Sequence, residues 1–389
     1  MRNPVCHPLL SVLLILSVSC SDKQHESGAN QIYVDFENGS PSVVNSEDDL
    51  FNYSNYLDTV LYIPLETSDN CLIGYINDIH LVNDRLFVEA DFKSLFVFDL
   101  NGKLLSKISK VGRGHGEYGK ITWFDVNPSN NEISIYDVTV RRILVYSVEG
   151  DFIRQFTLEH IPRDLCVLPN GNYLFYTPDY MKNHYRGVWQ TGPDGNYINQ
   201  PLVLDGSAIQ NIGQNHYLMH LNNDVVGVMG PIGFDNIYHI SADTSKIAYQ
   251  IKTSETIPDY VLKGEFEGDL FEQDFYFLTA YTENESLVTF MMTDMKKSMN
   301  VKYDKKTGKI YTDVNKGNYP FIPGNKLLIS LEPRRTDYGV GLDYLDADIL
   351  MTFPEEYRNK IAPDCTMDSN PIICLYYYKK PKYLPNPAF

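Results

Sequence analysis

The stretch NDRLFVEADFKSLFVFDLNGKLL (residues 83–105) contains a unit that recurs further along the chain. It has a polar turn, a short apolar strand, a polar loop, a second apolar strand and a turn containing Gly102. The same order appears in NEISIYDVTVRRILVYSVEGDFI (residues 131–153) and in NGNYLFYTPDYMKNHYRGVWQTGPDGNYI (residues 170–198). Alternating apolar residues such as Phe96 and Phe98 predict strands with one buried face.

The spacing of the repeat indicates the architecture. Its marker glycines, Gly102, Gly150 and Gly195, lie 48 and 45 residues apart. Because a further apolar strand precedes each unit, the unit has four strands, and four-stranded units of roughly 40–50 residues are typical of propeller blades. The sequence therefore predicts an all-β, six-bladed β-propeller of four-stranded antiparallel blades. Seven blades remain the alternative.

Later copies of the unit are weaker but keep the same order. Residues 236–251 fit the third and fourth strands of a blade, and residues 286–311 contain another strand pair with Gly308 in a turn. The segment YLDTVLYIPL (residues 56–65) precedes the first complete unit. We expect it to pair with the C-terminal strand at residues 371–378 and to close the ring, because closure removes exposed sheet edges.

Several of these segments carry a family resemblance. IPLETSDNCLIG (residues 63–74), LFVFDLNGKLL, VGRGHGEYG (residues 111–119) and RILVYSVEGDFIRQF (residues 142–156) resemble the six-bladed β-propeller lipoproteins of Bacteroides and its relatives. In that family the glycine loop usually reads GRGPGEY, whereas His115 replaces the proline here. The resemblance implies an exported propeller and supplies no catalytic residues.

The N-terminus has the order of a secretory signal. Arg2 precedes the apolar run LLSVLLILSV, which is too short to span a bilayer, and Ser19 precedes Cys20. We predict a signal peptide over residues 1–19, a lipidated Cys20 with a flexible tether over residues 20–30, and a single propeller domain over residues 31–389. An ordinary signal peptide cleaved elsewhere is the alternative. The prediction is an exported lipoprotein, periplasmic or at the cell surface, held to the membrane by its lipid only.

Charge and cysteine content narrow the function classes. The chain carries 33 Lys and Arg against 50 Asp and Glu, a net charge of −17. This net negative charge disfavours binding to nucleic acid, because such binding depends on positive side chains that neutralise the phosphates. The four cysteines beyond the signal region show no spacing typical of metal sites, and we expect them to be free: Cys71, Cys166, Cys365 and Cys374.

The glycine loop invites a nucleotide-binding interpretation. GHGEYGK (residues 114–120) satisfies the phosphate-loop spacing, but Ile121 stands where Ser or Thr would hold magnesium. The following residues, ITWFDVNP, predict a strand, whereas a phosphate loop leads into a helix. We therefore predict a structural connection between two blades.

Propeller topology indicates where a ligand would bind. The loops between the second and third strands share one face of the disc with the loops between blades, and they are longer and richer in charged and aromatic residues than the opposite turns. This face, around the central channel, is the predicted site. Its candidate ligand-binding residues are Arg113, His115, Glu117, Tyr118, Arg141, Arg142, Tyr180, His184, Tyr185, Arg186 and Trp189. Each of them also has a packing or pairing role as its alternative.

Catalytic signatures are missing from the sequence. GxSxG and HExxH do not occur, and His216 and His220, four apart in a strand-like context, lie too far apart to share one metal. No catalytic residue, metal ligand or cofactor is predicted, with a calcium ion in the acidic channel as the alternative. The leading hypothesis is a non-catalytic module that binds an envelope glycan or protein partner. The rivals are a metal-assisted hydrolase or lyase with its site in the central channel, and a protein-interaction scaffold.

Overall fold

The computed structural model describes residues 30–34, 36–37, 40–41, 55–177, 185–204, 216–229, 236–242, 244–253, 277–293, 298–315 and 333–379. These residues form six antiparallel sheets, each with four strands of a propeller blade. The six-bladed β-propeller predicted from the repeat is therefore confirmed. The signal region with Cys20 and the candidates Tyr180 and His184 lie outside the described residues.

The first three blades contain the repeats that are clearest in the sequence. From the channel outward, blade 1 consists of Ile76–Val82, Arg85–Ala90, Ser94–Asp99 and Leu104–Ile108. Blade 2 consists of Trp123–Val126, Ile133–Asp137, Arg142–Tyr146 and Phe152–Thr157. Blade 3 consists of Asp164–Val167, Tyr173–Thr177, Gly187–Thr191 and Tyr197–Val203.

The other three blades are less regular. Blade 4 consists of Leu218–His220, Val226–Met229, Asn236–Ile240 and Ser245–Thr253. Blade 5 consists of Phe277–Glu283, Leu287–Thr293, Ser298–Asp304 and Ile310–Asn315. Blade 6 consists of Arg335–Asp337, Val340–Leu345, Ile372–Tyr378 and Leu57–Pro64, with two short helices, Ala347–Met351 and Glu355–Ile361, between its second and third strands. Phe36–Glu37 and Ser40–Pro41 form a separate small hairpin.

Blade 6 closes the ring, because it combines one strand from the N-terminal part of the chain with three strands from the C-terminal part. Leu57–Pro64 pairs antiparallel with Ile372–Tyr378, in a register that places Ile63 opposite Ile373. The predicted pairing of the head and tail strands is confirmed. Ile63, Ile373 and Leu375 then pack in one buried cluster with blade 1 residues such as Phe98. Apolar burial of this kind stabilises by roughly 25 cal/mol per Å², so the seam is held by its core as well as by its hydrogen bonds.

One strand was not predicted. Asn30–Val34 pairs parallel with Ser245–Thr253 and forms a fifth strand on the outer edge of blade 4. Ile32 and Val34 are buried in the core between blades 4 and 5. The short sequence NQIYV carries too little pattern to distinguish a strand from the polar tether that precedes it.

The glycine loop connects blades 1 and 2, as predicted. It is closed by its own hydrogen bonds: the Gly112 amide donates to the Tyr118 carbonyl, and the Gly114 amide donates to Glu117 Oε2 at 2.8 Å. A Cβ on Gly112 would lie 1.9 Å from the same carboxylate oxygen. The space that a phosphate would need is filled by Glu117, and a strand follows where a helix would be required.

Two faces of the disc can now be named. The upper face carries the loops between blades and those between second and third strands, and the lower face carries the remaining tight turns. Each inner strand runs from the upper to the lower face, so its first residues lie near the upper mouth of the channel. Among the described residues, no helix is long and apolar enough to cross a membrane.

Candidate functional site in the central channel

Charged side chains from the inner strands converge in the channel. Five of the six blades contribute to this group, here called the channel cluster, and all of its members are buried or nearly so. Its members are Asp78, His80, Asp125, Asp164, His216, His220, Arg335 and Asp337. In an otherwise apolar core, so many ionisable groups need mutual partners, since unpaired buried charge is costly.

The upper layer of the cluster lies at the mouth of the channel. His216 Nε2 lies 3.3 Å from Asp78 Oδ1, and Arg335 Nη1 lies 3.1 Å from His216 Nδ1. Asp164 accepts hydrogen bonds from two backbone amides at the start of blade 4 and lies 3.9 Å from His216. The ring of Trp123 meets His216 edge to face. Asp78 and His216 keep 11% and 14% of their side chains exposed, so this layer remains in contact with solvent.

The lower layer is fully enclosed. His80 Nδ1 lies 3.3 Å from both Asp125 Oδ1 and Asp337 Oδ2, while His80 Nε2 contacts Asp78 at 3.2 Å. His220 Nε2 lies 2.8 Å from Asp125 Oδ2. Within this layer Asp337 also accepts a hydrogen bond from Arg335 Nε at 2.8 Å. The contact between His220 and Asp125 therefore joins blades 4 and 2, which are not neighbours in the ring.

The network sets the charge of each group. Burial raises the pKa of Asp78, but His216, His80 and Arg335 outweigh it and hold this pKa well below its ordinary value. Burial and Arg335 lower the pKa of His80, yet Asp337 and Asp78 raise it to about 10. Burial lowers the pKa of His216, and Asp78 raises it to about 9. Both imidazoles therefore carry positive charge at neutral pH.

Glu89 is a carboxyl beside the mouth whose pKa is raised, whereas the pKa of Asp78 is lowered. It lies on the second strand of blade 1, directly opposite Asp78 in the antiparallel register. Burial and the nearby charge of Asp78 raise its pKa to about 8, against an ordinary value of 4.5. Its Oε1 atom is inaccessible and has no hydrogen-bond partner in the described structure. Two neighbouring carboxyls thus differ in charge at neutral pH.

A second polar group lies at the lower face, between blades 4 and 5. Glu283 accepts hydrogen bonds from Tyr249, Tyr281 and Lys305, and His239 Nε2 lies 2.9 Å from it. Burial raises the pKa of Glu283, but Lys305 and His239 lower it to about 2. With four partners this carboxylate is saturated, so we interpret the group as a link between two blades.

Of the described candidates, Trp189 lies in the third strand of blade 3 and Arg142 begins the third strand of blade 2, while the others lie on upper loops. None of them belongs to the channel cluster. Tyr118 is fully buried and donates a hydrogen bond to the Lys93 carbonyl at 2.7 Å. Trp189 is 2% exposed, and its Nε1 donates to Thr177. Tyr118 packs between blades 1 and 2 and Trp189 packs between blades 2 and 3, so both have the packing role considered as their alternative.

The remaining described candidates lie nearer the surface. Glu117 holds its own loop, and His115 meets Phe152 edge to face. Tyr185 stacks on Tyr197 with ring centroids 4.9 Å apart, and it also contacts Trp189. Arg113, Arg141 and Arg186 are exposed, and Arg142 is half-buried beside Gln155. Tyr185 and Trp189 are in mutual contact, while the candidates as a group are spread over three blades.

Sequence reasoning missed the channel cluster itself. Its members are separated by up to 259 positions, from Asp78 to Asp337, so no local motif joins them. A signal did exist, because each of these inner strands carries charged or histidine residues: INDIHLV, WFDV, DLCV, LMH and RTD. His216 and His220 belong to different layers, so the prediction that they do not share one metal remains reasonable.

The fold and the polar channel define a class, the six-bladed β-propellers with a charged axis. The chain belongs to the family described as "Domain of unknown function (DUF4934)", whose model matches residues 39–377. No curated protein matches the chain.

Solved structures show similar folds. A Bacteroides fragilis protein named "Putative exported protein" aligns with a TM-score of 0.69 at 18% identity, covering 90% of this chain and 100% of that one. A DUF4221 family member from Bacteroides vulgatus aligns with a TM-score of 0.46 at 10% identity, covering 83% and 97%. BamB from Moraxella catarrhalis aligns with a TM-score of 0.40 at 11% identity, covering 66% and 78%. At 18% identity the likeness to the Bacteroides fragilis protein shows the fold alone, and the two alignments with TM-scores under 0.5 carry no argument. The predicted relationship to propellers of Bacteroides is confirmed, and lipidation stays a prediction.

Proposed function

We propose that this protein is an exported binding module that holds a polar ligand at the upper mouth of its central channel. The observation that carries the proposal is the convergence of Asp78, Asp164, His216 and Arg335 from four blades, next to solvent. Rigid scaffolds that present several polar groups at one opening are typical of ligand sites. The partial exposure of Asp78 and His216 supports direct contact with a ligand.

The chemistry of the mouth favours a neutral, hydroxyl-rich ligand such as a glycan. Two carboxylates supply acceptors, and Arg335 with His216 supplies donors, so their formal charges cancel. Because this layer carries no net charge, it attracts a highly charged ion only weakly. The hydroxyl groups of a glycan can both donate and accept hydrogen bonds with it. Half-buried Trp123 adds an aromatic ring beside these groups.

A glycan array with the purified full-length protein tests this proposal, followed by calorimetry on each ligand found. We expect Asp78→Asn and His216→Gln to weaken binding at least tenfold, since each removes a charge-assisted hydrogen bond of about 1.5–3 kcal/mol. Asp58→Asn, a change at an exposed carboxylate on the rim of blade 6, is the matched control and should bind like the parent. Equal binding by Asp78→Asn, His216→Gln and the control would show that the ligand does not bind at the channel mouth.

A second candidate function is a hydrolase or lyase at the same mouth. The observation that favours it is the pair Glu89 and Asp78, whose pKa values are pushed in opposite directions. A protonated carboxyl beside an ionised one is the arrangement used for general acid and base catalysis.

Incubation of each bound glycan with the protein, followed by mass spectrometry, tests for turnover. If turnover occurs, Glu89→Gln should slow it at least ~100-fold with binding retained. Intact ligand in every incubation contradicts this candidate.

The exposed upper loops support a partner-binding role as a further proposal. Arg113, Arg141 and Arg186 are exposed on that side, on an otherwise acidic body. They suit an acidic patch on an envelope protein. Cross-linking in cells with the triple Arg→Ala variant as control tests this surface. An unchanged cross-linking pattern in that variant argues against it.

The proposed location is the cell envelope, with a lipid on Cys20 as anchor. Support comes from the apolar run before Cys20 and from the family resemblance of the propeller. Mass spectrometry of the N-terminal peptide tests the lipid directly, and Cys20→Ala should move the protein from the membrane fraction to the soluble fraction. A wild-type protein without acyl mass, found in the soluble fraction, would contradict the anchor.

A further inference from the structure

We propose that the lower layer of the channel binds a zinc ion through Asp125, Cys166 and His220. This inference goes beyond the proposed ligand function and does not depend on it. The mouth of the channel, where the ligand is proposed to bind, uses other residues.

The first argument is the geometry of three side chains. Asp125, Cys166 and His220 come from the inner strands of blades 2, 3 and 4, and each offers one donor atom such that these atoms lie within 4.8 Å of one another. All three are at most 1% exposed. A carboxylate, a thiol and an imidazole that share one enclosed point form a donor set that a metal can close with a small inward movement.

The second argument concerns an unsatisfied atom. Asp125 Oδ1 is inaccessible and makes no hydrogen bond of acceptable geometry in the described structure. A buried polar atom without a hydrogen bond costs about 1–3 kcal/mol. A cation in contact with this oxygen would remove that cost.

The Asp125 carboxylate is held in place for a metal. Its Oδ2 accepts a hydrogen bond from the Val167 amide at 2.6 Å, which leaves Oδ1 as the available ligand atom. Carboxylates that bind metals are usually oriented by hydrogen bonds of this kind.

The donor types select the metal. Calcium and magnesium prefer oxygen ligands, whereas thiolate and imidazole favour zinc among the common divalent ions. One histidine, one cysteine and one aspartate supply three of the four ligands that zinc usually takes in proteins. Zinc here would join blades 2, 3 and 4 at the axis. The calcium considered from the acidic composition would not suit this sulfur-containing set.

Metal analysis of the purified full-length protein tests the proposal. The protein is incubated with equimolar zinc, dialysed against metal-free buffer and measured by plasma mass spectrometry. We expect about one zinc per chain in the wild type and almost none in Cys166→Ser. Cys374→Ser is the matched control, because it makes the same change at another buried cysteine, in blade 6, and it should keep the zinc. Zinc should also raise the melting midpoint of the wild type and of this control, but not that of Cys166→Ser.

A spectroscopic measurement covers the case in which Cys166→Ser fails to fold. Cobalt(II) loaded into the wild type should give a thiolate-to-cobalt charge-transfer band and the intense visible bands of a tetrahedral site. Asp125→Asn, which keeps the size of the side chain, should weaken cobalt binding. Wild-type protein that retains no zinc and shows no thiolate-to-cobalt band overturns the proposal. Equal metal content in the wild type and in folded Cys166→Ser overturns it as well.

Discussion

Asp78 and Glu89 lie opposite each other on neighbouring strands, yet their surroundings favour opposite charge states. Asp78 lies among His216, His80 and Arg335, which stabilise its negative charge. Glu89 faces the negative Asp78 and is buried, so its neutral form is favoured. Position relative to the cations of the channel, rather than residue type, decides which carboxyl is ionised.

The raised pKa of Glu89 predicts a pH-dependent stability. Between about pH 4.5 and pH 8 the unfolded chain ionises this carboxyl while the folded chain keeps it protonated, so its contribution to stability is lost as pH rises. Glu89→Gln should therefore be more stable than the wild type at pH 8.5, by a few kcal/mol at about 1.4 kcal/mol per pKa unit, and its advantage should shrink at pH 5.5. Urea unfolding at both pH values measures this. Glu149→Gln, at an exposed turn, is the control. An advantage that does not change with pH would contradict the buried, protonated Glu89.

Gly102 is a residue on which the ring closure depends. Its φ is +79°, and a Cβ there would lie 2.0 Å from the Pro64 carbonyl oxygen of the closing strand. Gly150, in the equivalent turn of blade 2, has φ +92° but clears its nearest neighbour by 3.4 Å. We expect Gly102→Ala to cost about 3 kcal/mol and Gly150→Ala about 1 kcal/mol. Urea unfolding compares them, and equal losses would mean that backbone conformation alone matters.

At the scale of elements, Asn370 fastens the segment between blade 6 and blade 1. Its Nδ2 donates to the carbonyls of Glu66 and Cys71, and its Oδ1 accepts from the Ile73 amide. Its backbone amide donates to Thr67 Oγ1. This one side chain therefore satisfies three backbone groups of the segment that leaves the closing strand.

Loss of the Asn370 hydrogen bonds should lower the free energy of unfolding. Asn370→Ala leaves buried carbonyls and an amide without partners, so we expect a loss of about 3 kcal/mol in the free energy of unfolding. Asn101→Ala, at an exposed turn of blade 1, should change it by less than about 0.5 kcal/mol. Chemical denaturation of both variants supplies the comparison. A loss below 1 kcal/mol at Asn370 would indicate that water replaces its hydrogen bonds.

The added strand Asn30–Val34 is a second element with a measurable role. Ile32 is fully buried between blades 4 and 5, so Ile32→Ala should destabilise by about 3 kcal/mol. Leu61→Ala, on the exposed side of the closing strand, is the matched control, since Leu61 is 41% exposed. Thermal melts of the two variants decide between a packed strand and a loosely attached one. Equal melting midpoints would favour the loose attachment.

At the scale of the whole molecule, the repeat in the sequence made the fold predictable, whereas the channel cluster could not be predicted. Blade order follows from local alternation and from turn residues such as Gly102 and Gly150, which the sequence displays directly. The channel cluster forms only when distant inner strands meet at the axis, so Asp125 and Asp337 carry no mark of their partnership. Asn30–Val34 was missed for a related reason, because a parallel edge strand depends on a distant partner and not on a local turn.

Ring closure makes the six blades interdependent. Blade 6 takes three strands from the C-terminal part of the chain and its outer strand from Leu57–Pro64. A chain ending at Asn370 would lose Ile372–Tyr378 and leave Leu57–Pro64 without its partner, so we expect it to lose its cooperative thermal transition. A chain ending at Lys379, which keeps the whole pairing, should melt like the full-length protein. Circular dichroism checks both truncations, and a cooperative melt in the shorter one would mean that five blades are stable alone.

The outer-edge strand Asn30–Val34 also fixes how an anchored molecule would hang. Residues between Cys20 and Asn30 reach at most roughly 35 Å when fully extended. A lipid on Cys20 would therefore attach the propeller through the outer edge of blade 4 and not through its axis. Tethered in this way, the protein would stay close to the bilayer, and the mouth of the channel would not be the point of attachment.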